Sequence, residues 1–441
     1  MYSMTPYESE PILFTDDAQS LLLIYIKRLS AQVKKGRKLH CLVDILNWFL
    51  ASGDIYKIPY DFVFEKTILL EIMVELVFKE EVLDEDNTIC VLRILGFLSS
   101  FNAPQHEIFK DQSFIKSICQ IIKKSKNDTL IKHGLVIIGQ LIQIYPSVFP
   151  FLNDIGFNNY LVQNYIFSKD NEVCAMACFI SLIFILYISD EDEINSIILS
   201  TFELIKKGDL IVMKYAFRGM LMVFEHLEVL LKNMISCGLI SILIESLKLL
   251  NNEEPMISCC ILKILGLIIE NNEDSVVSLN IPKIILDLNF LNHEPVNEML
   301  VENICNVIFL LATKANPALE SELIQSGIFI SCIQCCQNTT YAVKLMVIKL
   351  FYKIIHDRNV KFLTQIIEQN LFQFILESIA NSSNEFAIII LDIIIEFLMF
   401  YPNAKDILIE KGLENVINEL ISNEDYEVQE KLEYLLSIIE F

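Results

Sequence analysis

The residues of this chain that could do chemistry are few and scattered. Cys332, Cys335 and Cys336 supply its one CxxC. Zinc would need a second ligand pair, and a redox thiol pair would need a strand before it and a helix start at its first Cys. The apolar spacing around it predicts a helix interior instead, so packing is the expected role. The six histidines, His40, His106, His133, His226, His293 and His356, are dispersed. None has a Cys or carboxylate at metal or catalytic spacing. No glycine-rich phosphate loop, HExxH or GxSxG occurs. The chain is therefore expected to be no enzyme, with no cofactor and no metal. Two carboxylates stand out: Asp392 and Glu396 are the only charges between Phe386 and Phe400. Four residues apart on one helix face, they repel each other. A buried, unpaired carboxylate is excluded or neutralised. Either an intramolecular Lys or Arg pairs with them, or a basic ligand does.

The elements that position these residues are helices. Gly 12 and Pro 11 in 441 residues are each about half of ordinary usage or less. Both break helices, so their scarcity favours long helices with brief connections. Hydrophobic content is 53%, so whole helices must be buried in a core or a membrane. Val173 to Ser189 is free of charge, at the lower length limit of a spanning helix. Its flanks, Glu172 and Asp190 to Glu193, are acidic and show no positive-inside pattern. A buried helix and no membrane span is the expectation.

Net charge is −23, from 34 basic and 57 acidic residues. That argues against nucleic acid and anionic membranes as partners. The first seventeen residues are polar and acidic, unlike a signal peptide. The twelve cysteines lie mostly in apolar segments and read as reduced, in a cytoplasmic or nuclear protein. Lys34, Lys35, Arg37 and Lys38 form one basic island, read as a solvated loop or else as a nuclear-import tag or phosphate contact.

Internal periodicity sets the architecture. Polar turns centre near Asp86, Asn127, Asp170, Gly208, Asn252, His293, Asn338, Ser383 and Glu424. Their mean spacing is about 42, within the range of helical repeats. Gly156, Gly238, Gly327, Asn370 and Gly412 mark helix starts that keep step with those turns. The helix after each mark is amphipathic, as with Leu413, Val416, Ile417, Leu420 and Ile421. The helix after each polar turn is longer and more apolar, as in 172–188 and 384–400. An inner helix sandwiched between neighbours should look so. The unit at 191–229 lacks the Gly mark, which leaves its first helices open.

The last unit is the clearest: Gly412, a helix, then Asn423-Glu-Asp425-Tyr-Glu427-Val428-Gln429 and an inner helix. Lys169-Asp170-Asn-Glu172-Val173 repeats the turn. This pattern resembles the three-helix armadillo repeat, over roughly residues 60 to 441. The resemblance implies an all-α, right-handed superhelical solenoid of about nine repeats. Expected boundaries are a polar acidic tail over 1–17, an N-terminal helical cap over 18–58 and the repeats over 59–441. It also implies a protein–protein scaffold or adaptor whose partner segment, basic or amphipathic, lies along the inner helices. A regulator of another enzyme or of the cytoskeleton is the alternative, such as a chaperone exchange factor or an actin regulator. A degenerate nuclear-import adaptor is a further one. Oligomeric state stays open. With the Val of the E-V turn as zero, the family's exposed inner positions fall near +6 and +10. They are Phe179 and Ile183 from Val173, Arg218 from Val212, Glu302 and Asn306 from Val296, and Asp392 and Glu396 from Phe386.

Overall fold

The computed structural model describes residues 16–51, 57–79, 83–100, 107–226, 228–250, 254–271, 281–287, 297–314, 323, 326–328, 331–332, 341–356, 371–377, 379, 383–401 and 403–440. Asn370, Cys335, Cys336, His106, His293, Val296 and the turns at Asn252 and Asn338 lie outside the described residues, as does most of the tail over 1–17. The described residues are helices and connections, with no strand among them. The chain divides into two compact units, Met1–His226 and Leu227–Phe441, a boundary that the repeat spacing does not announce.

In the first unit the helices Asp16–Lys34 and Cys41–Leu50 form the N-terminal pair. Trp48 Nε1 donates to the Ala18 carbonyl at 2.9 Å and ties the two together. The inner helices Cys41–Leu50, Glu85–Ser99, Asp128–Ile144, Asn171–Phe184 and Leu210–Phe224 then pack each on the next. In the second unit Pro255–Asn271, Glu298–Lys314, Tyr341–His356, Asn384–Phe400 and Tyr426–Glu440 do the same.

The polar turns are helix caps. Side chains of Asp84, Asn127, Asp170, Asp209, Asn297, Ser383 and Asp425 each accept from a backbone N–H of the first turn that follows. A cap of this kind satisfies donors that the helix itself cannot. Several caps are also linked between repeats. Asn127 Nδ2 donates to Glu85 Oε2 at 3.2 Å, and Asn384 Nδ2 to Asp425 Oδ2 at 3.1 Å. Asn171 donates likewise to Asp209.

Gly156 and Gly412 stand at φ +65° and +102°, the left-handed region where a side chain is strained. Each ends one short helix and starts the next, as the marks predict: Phe149–Asp154 before Phe157–Asn164, and Ala404–Glu410 before Leu413–Leu420. Where the mark is missing, one continuous helix, Glu191–Lys206, replaces the two short ones. Without a Gly or Pro inside it, that stretch has no reason to break.

The Asn171–Phe184 helix accounts for the uncharged run. Every residue from Val173 to Ile185 is buried, between the inner helices on either side and the short helices behind. The next inner helix comes close: a Cβ at Gly219 would stand 2.8 Å from Leu182 Cδ1. No single helix among the described residues is long and apolar enough to cross a membrane.

Candidate protein-binding face

Counted from its cap, each inner helix turns the same positions away from its own repeat. Nine residues on from the caps stand Arg93, Val136, Phe179 and Arg218 in the first unit, and Asn306, Asp392 and Tyr434 in the second. The cap at Asn297 corrects the frame used for this helix. Asn306 sits at the position of Arg218 and Asp392, and Glu302 sits one turn earlier. A register taken from Val296 was one turn out because the cap, and not the hydrophobic residue, marks the helix start.

Phe179 and Ile183 are not exposed as the register predicted: each has 2% of its surface free. The next repeat roofs Phe179. The Arg218 guanidinium carbon lies 5.7 Å from its ring centre, and the Tyr215 ring meets it edge-on at 5.9 Å.

Arg218 itself is half-buried and has no carboxylate partner among the described residues. The same holds for Arg93 and Lys214, whereas Lys132 pairs with Glu172. A lone-residue frame finds Arg218 but misses Arg93, Lys132, Lys214 and Tyr215. The signal that finds them is a count of charges past the first turn of each inner helix. In the first unit that count is Arg93, Lys132, Lys214 and Arg218, with no acid.

Beneath this surface His133 is buried. Burial, helped by Lys132 and Arg93, lowers its pKa from 6.5 to about 3, so it is neutral at physiological pH.

In the second unit the predicted carboxylates have partners. Asp392 forms an ion pair with Lys431, their side chains 27% and 26% exposed. His356 Nδ1 lies 2.6 Å from Glu396 Oε1. Glu396 Oε2 is buried with no partner among the described residues. Lys349 and Glu385 pair at 2.8 Å. Pairing within the chain, weighed from sequence for Asp392 and Glu396, is therefore what is found, with His356 in place of Lys or Arg at Glu396. Tyr352 stands beside them, its phenol pushed up by burial, then by Asp392 and Glu396. Glu302 is exposed and Asn306 half-buried, and neither has an ion-pair or hydrogen-bond partner among the described residues.

No group of three or more His, Cys, Asp or Glu that could hold a metal occurs among the described residues. Burial pushes the Cys119 and Cys178 thiols up to about 12, which leaves them inert. Cys332 is buried; the rest of its motif lies outside the described residues.

A stack of inner helices backed by short ones defines a helical repeat protein. No protein-family model and no curated protein matches the chain. Among solved structures, an engineered protein from a structural-genomics consortium superposes with a TM-score of 0.62 at 15% identity, over 97% of this chain and 100% of its own. A designed armadillo repeat protein in complex with the peptide (KR)4 gives 0.39 at 14% identity, over 58% of this chain and 96% of its own. A computationally designed armadillo repeat protein for modular peptide recognition gives 0.40 at 15% identity, over 57% and 96%. The superposition at 0.62 shows an all-helical repeat fold shared with that engineered protein, and no particular family member is indicated.

Proposed function

We propose that the protein is a non-enzymatic scaffold or adaptor that holds a segment of a protein partner against its inner helices. One observation carries this reading. Nine residues after their caps, Arg93 and Arg218 in one unit and Asn306, Asp392 and Tyr434 in the other stand half-buried or exposed on the inner helices, while Val136 is half-buried and Phe179 buried at the same register. Packing between repeats calls for apolar residues, so polar groups at this register are suited to another purpose. A repeated register of such groups suits a chain lying across the helices one repeat at a time.

In the second unit Glu302 and Asn306 are the open contacts for a basic or amphipathic segment. Asp392 and Glu396 can take part only by exchanging Lys431 and His356 for the ligand's cations. Such exchange contributes little affinity and some register, because half-exposed pairs are worth about 0–1 kcal/mol.

The test is a photo-crosslinking residue placed in the full chain at Tyr215, Asn306 or Tyr434, with the exposed Leu199 on the Glu191–Lys206 helix as control. In native extract, one stoichiometric protein crosslinked from the inner positions and not from Leu199 is expected. Crosslinking from Leu199 alone, or from none of the four, would overturn the scaffold reading.

A further inference from the structure

We propose that the inner-helix face of the first unit docks an acidic, amphipathic segment of a partner protein, with carboxylates meeting Arg93, Lys214 and Arg218. This deepens the scaffold reading and rests on it. The first observation is a reversal of charge. Acidic residues outnumber basic ones 57 to 34 in the chain. Past the first turn of the inner helices Cys41–Leu50, Glu85–Ser99, Asp128–Ile144, Asn171–Phe184 and Leu210–Phe224, every formal charge is positive.

The second observation is that, among the described residues, three of those four cations have no carboxylate partner in a chain with acid to spare. Among the described residues only Lys132 of the four has a carboxylate, from Glu172. Elsewhere the same fold pairs its inner-helix charges from repeat to repeat, as with Asp392 and Lys431 or Lys349 and Glu385. The pairing solution is therefore available to these helices and is not used here.

The third observation is how Arg218 is held. Its guanidinium carbon lies 5.7 Å from the Phe179 ring centre, within reach of a cation–π contact. A guanidinium carries a fork of N–H donors that matches a carboxylate. The inner helices that carry Arg93 and Arg218, and those between them, also have half-exposed apolar or aromatic residues, among them Val136 and Tyr215. A segment that alternates acids with apolar residues complements both kinds of contact.

Spacing sets the length of that segment. Arg93 and Arg218 occupy the same register three inner helices apart. At about 8–10 Å per helix spacing, the two guanidinium groups stand about 24–30 Å apart. Extended chain covers that in roughly 7–9 residues at about 3.3 Å each. The net charge of −23 does not forbid such a partner, because at physiological salt charges more than about 8 Å away are largely screened. Four cations spread over this distance would give nucleic acid few phosphate contacts, and few contacts give weak, salt-sensitive binding.

The experiment uses the full chain and three fluorescent probes of matched length. One is a peptide pool with Glu or Asp alternating with Leu, Ile or Phe; the second has Lys or Arg in place of the acids; the third is a single-stranded oligonucleotide. The acidic pool is expected to bind at least about tenfold more tightly than the basic pool. Arg93→Glu with Arg218→Glu is expected to abolish that preference without moving the thermal unfolding midpoint. If that pair disturbs folding, Arg93→Gln with Arg218→Gln is expected to weaken the acidic pool and leave the basic pool unchanged. Equal binding of both pools, acidic binding that survives either pair, or preference for the oligonucleotide would each overturn the proposal. In those cases crosslinks from Asn306 or Tyr434 would still uphold the scaffold reading. No crosslinks and no peptide binding would remove both.

Discussion

On the inner helices of residues 1–226, Arg93, Lys214 and Arg218 form no ion pair among the described residues. On those of residues 227–441, Asp392 pairs with Lys431, Glu396 with His356 and Lys349 with Glu385. Both units stack the same kind of helix on the same caps, so packing does not dictate the difference. Paired charges serve the unit that contains them. Unpaired ones of a single sign, with Arg93 and Arg218 at one register on a partly apolar surface, are suited to something outside it.

The largest expected effect tests whether Phe179 belongs to the core that Arg218 lies on. Phe179→Ala should cost about 3–5 kcal/mol in urea unfolding, as for other fully buried rings. A cost under about 1 kcal/mol would mean that the ring is part of the open face, and the contrast between the units would weaken.

A smaller effect probes the close approach at Gly219, against Leu182 and Phe179. Gly219→Ala puts a methyl group against Leu182 and Phe179 and should destabilise by about 1–3 kcal/mol, the usual cost of overpacking. A neutral result would show that the two helices have room to part.

Acid sharpens the comparison next, through His133. Its pKa is lowered from 6.5 to about 3 in the fold, so the unfolded chain binds a proton that the folded one refuses. Its contribution to stability is complete above pH 6.5 and is lost progressively as pH falls towards 3. The slope should be on the order of 1 kcal/mol per pH unit. His133→Leu should flatten that slope. Arg93→Gln should raise the pKa of His133, read by NMR titration, because it removes one nearby cation.

The smallest effect belongs to the paired unit. A double-mutant cycle with Asp392→Asn and Lys431→Gln should give a coupling of about 0–1 kcal/mol, as for other half-exposed pairs. Coupling above about 2 kcal/mol would show that this pair holds its repeats together, and would remove Asp392 from any account of ligand binding.

Much of the fold was legible in the sequence because its signals are local. Asn127, Asp170 and Ser383, read as turn centres, are the residues that cap the helices. Gly156 and Gly412, read as helix marks, occupy left-handed backbone. The 384–400 helix has the limits that its apolar run suggests. The candidate face was legible only in part, because exposure depends on the neighbouring repeat. Nothing in the period of one helix shows that Arg218 and Tyr215 will cover Phe179, or that Lys431 will reach Asp392 from 39 residues away. The one-turn slip at Glu302 had a different origin: hydrophobic residues recur every turn and cannot fix a frame, whereas a cap occurs once.

The linked caps have a mechanical consequence. Where Asn127 caps its own helix and also holds Glu85, and where Asp425 caps one helix and holds Asn384, a helix start and its neighbour's are one bonded unit. Melting one repeat releases a cap contact in the next, so the free energy of opening includes a nearest-neighbour coupling in addition to the repeat's own stability. Under load or partial denaturation such an array should give way in whole-repeat steps. Amide exchange would then show plateaus that change at the caps, with little gradation inside a repeat.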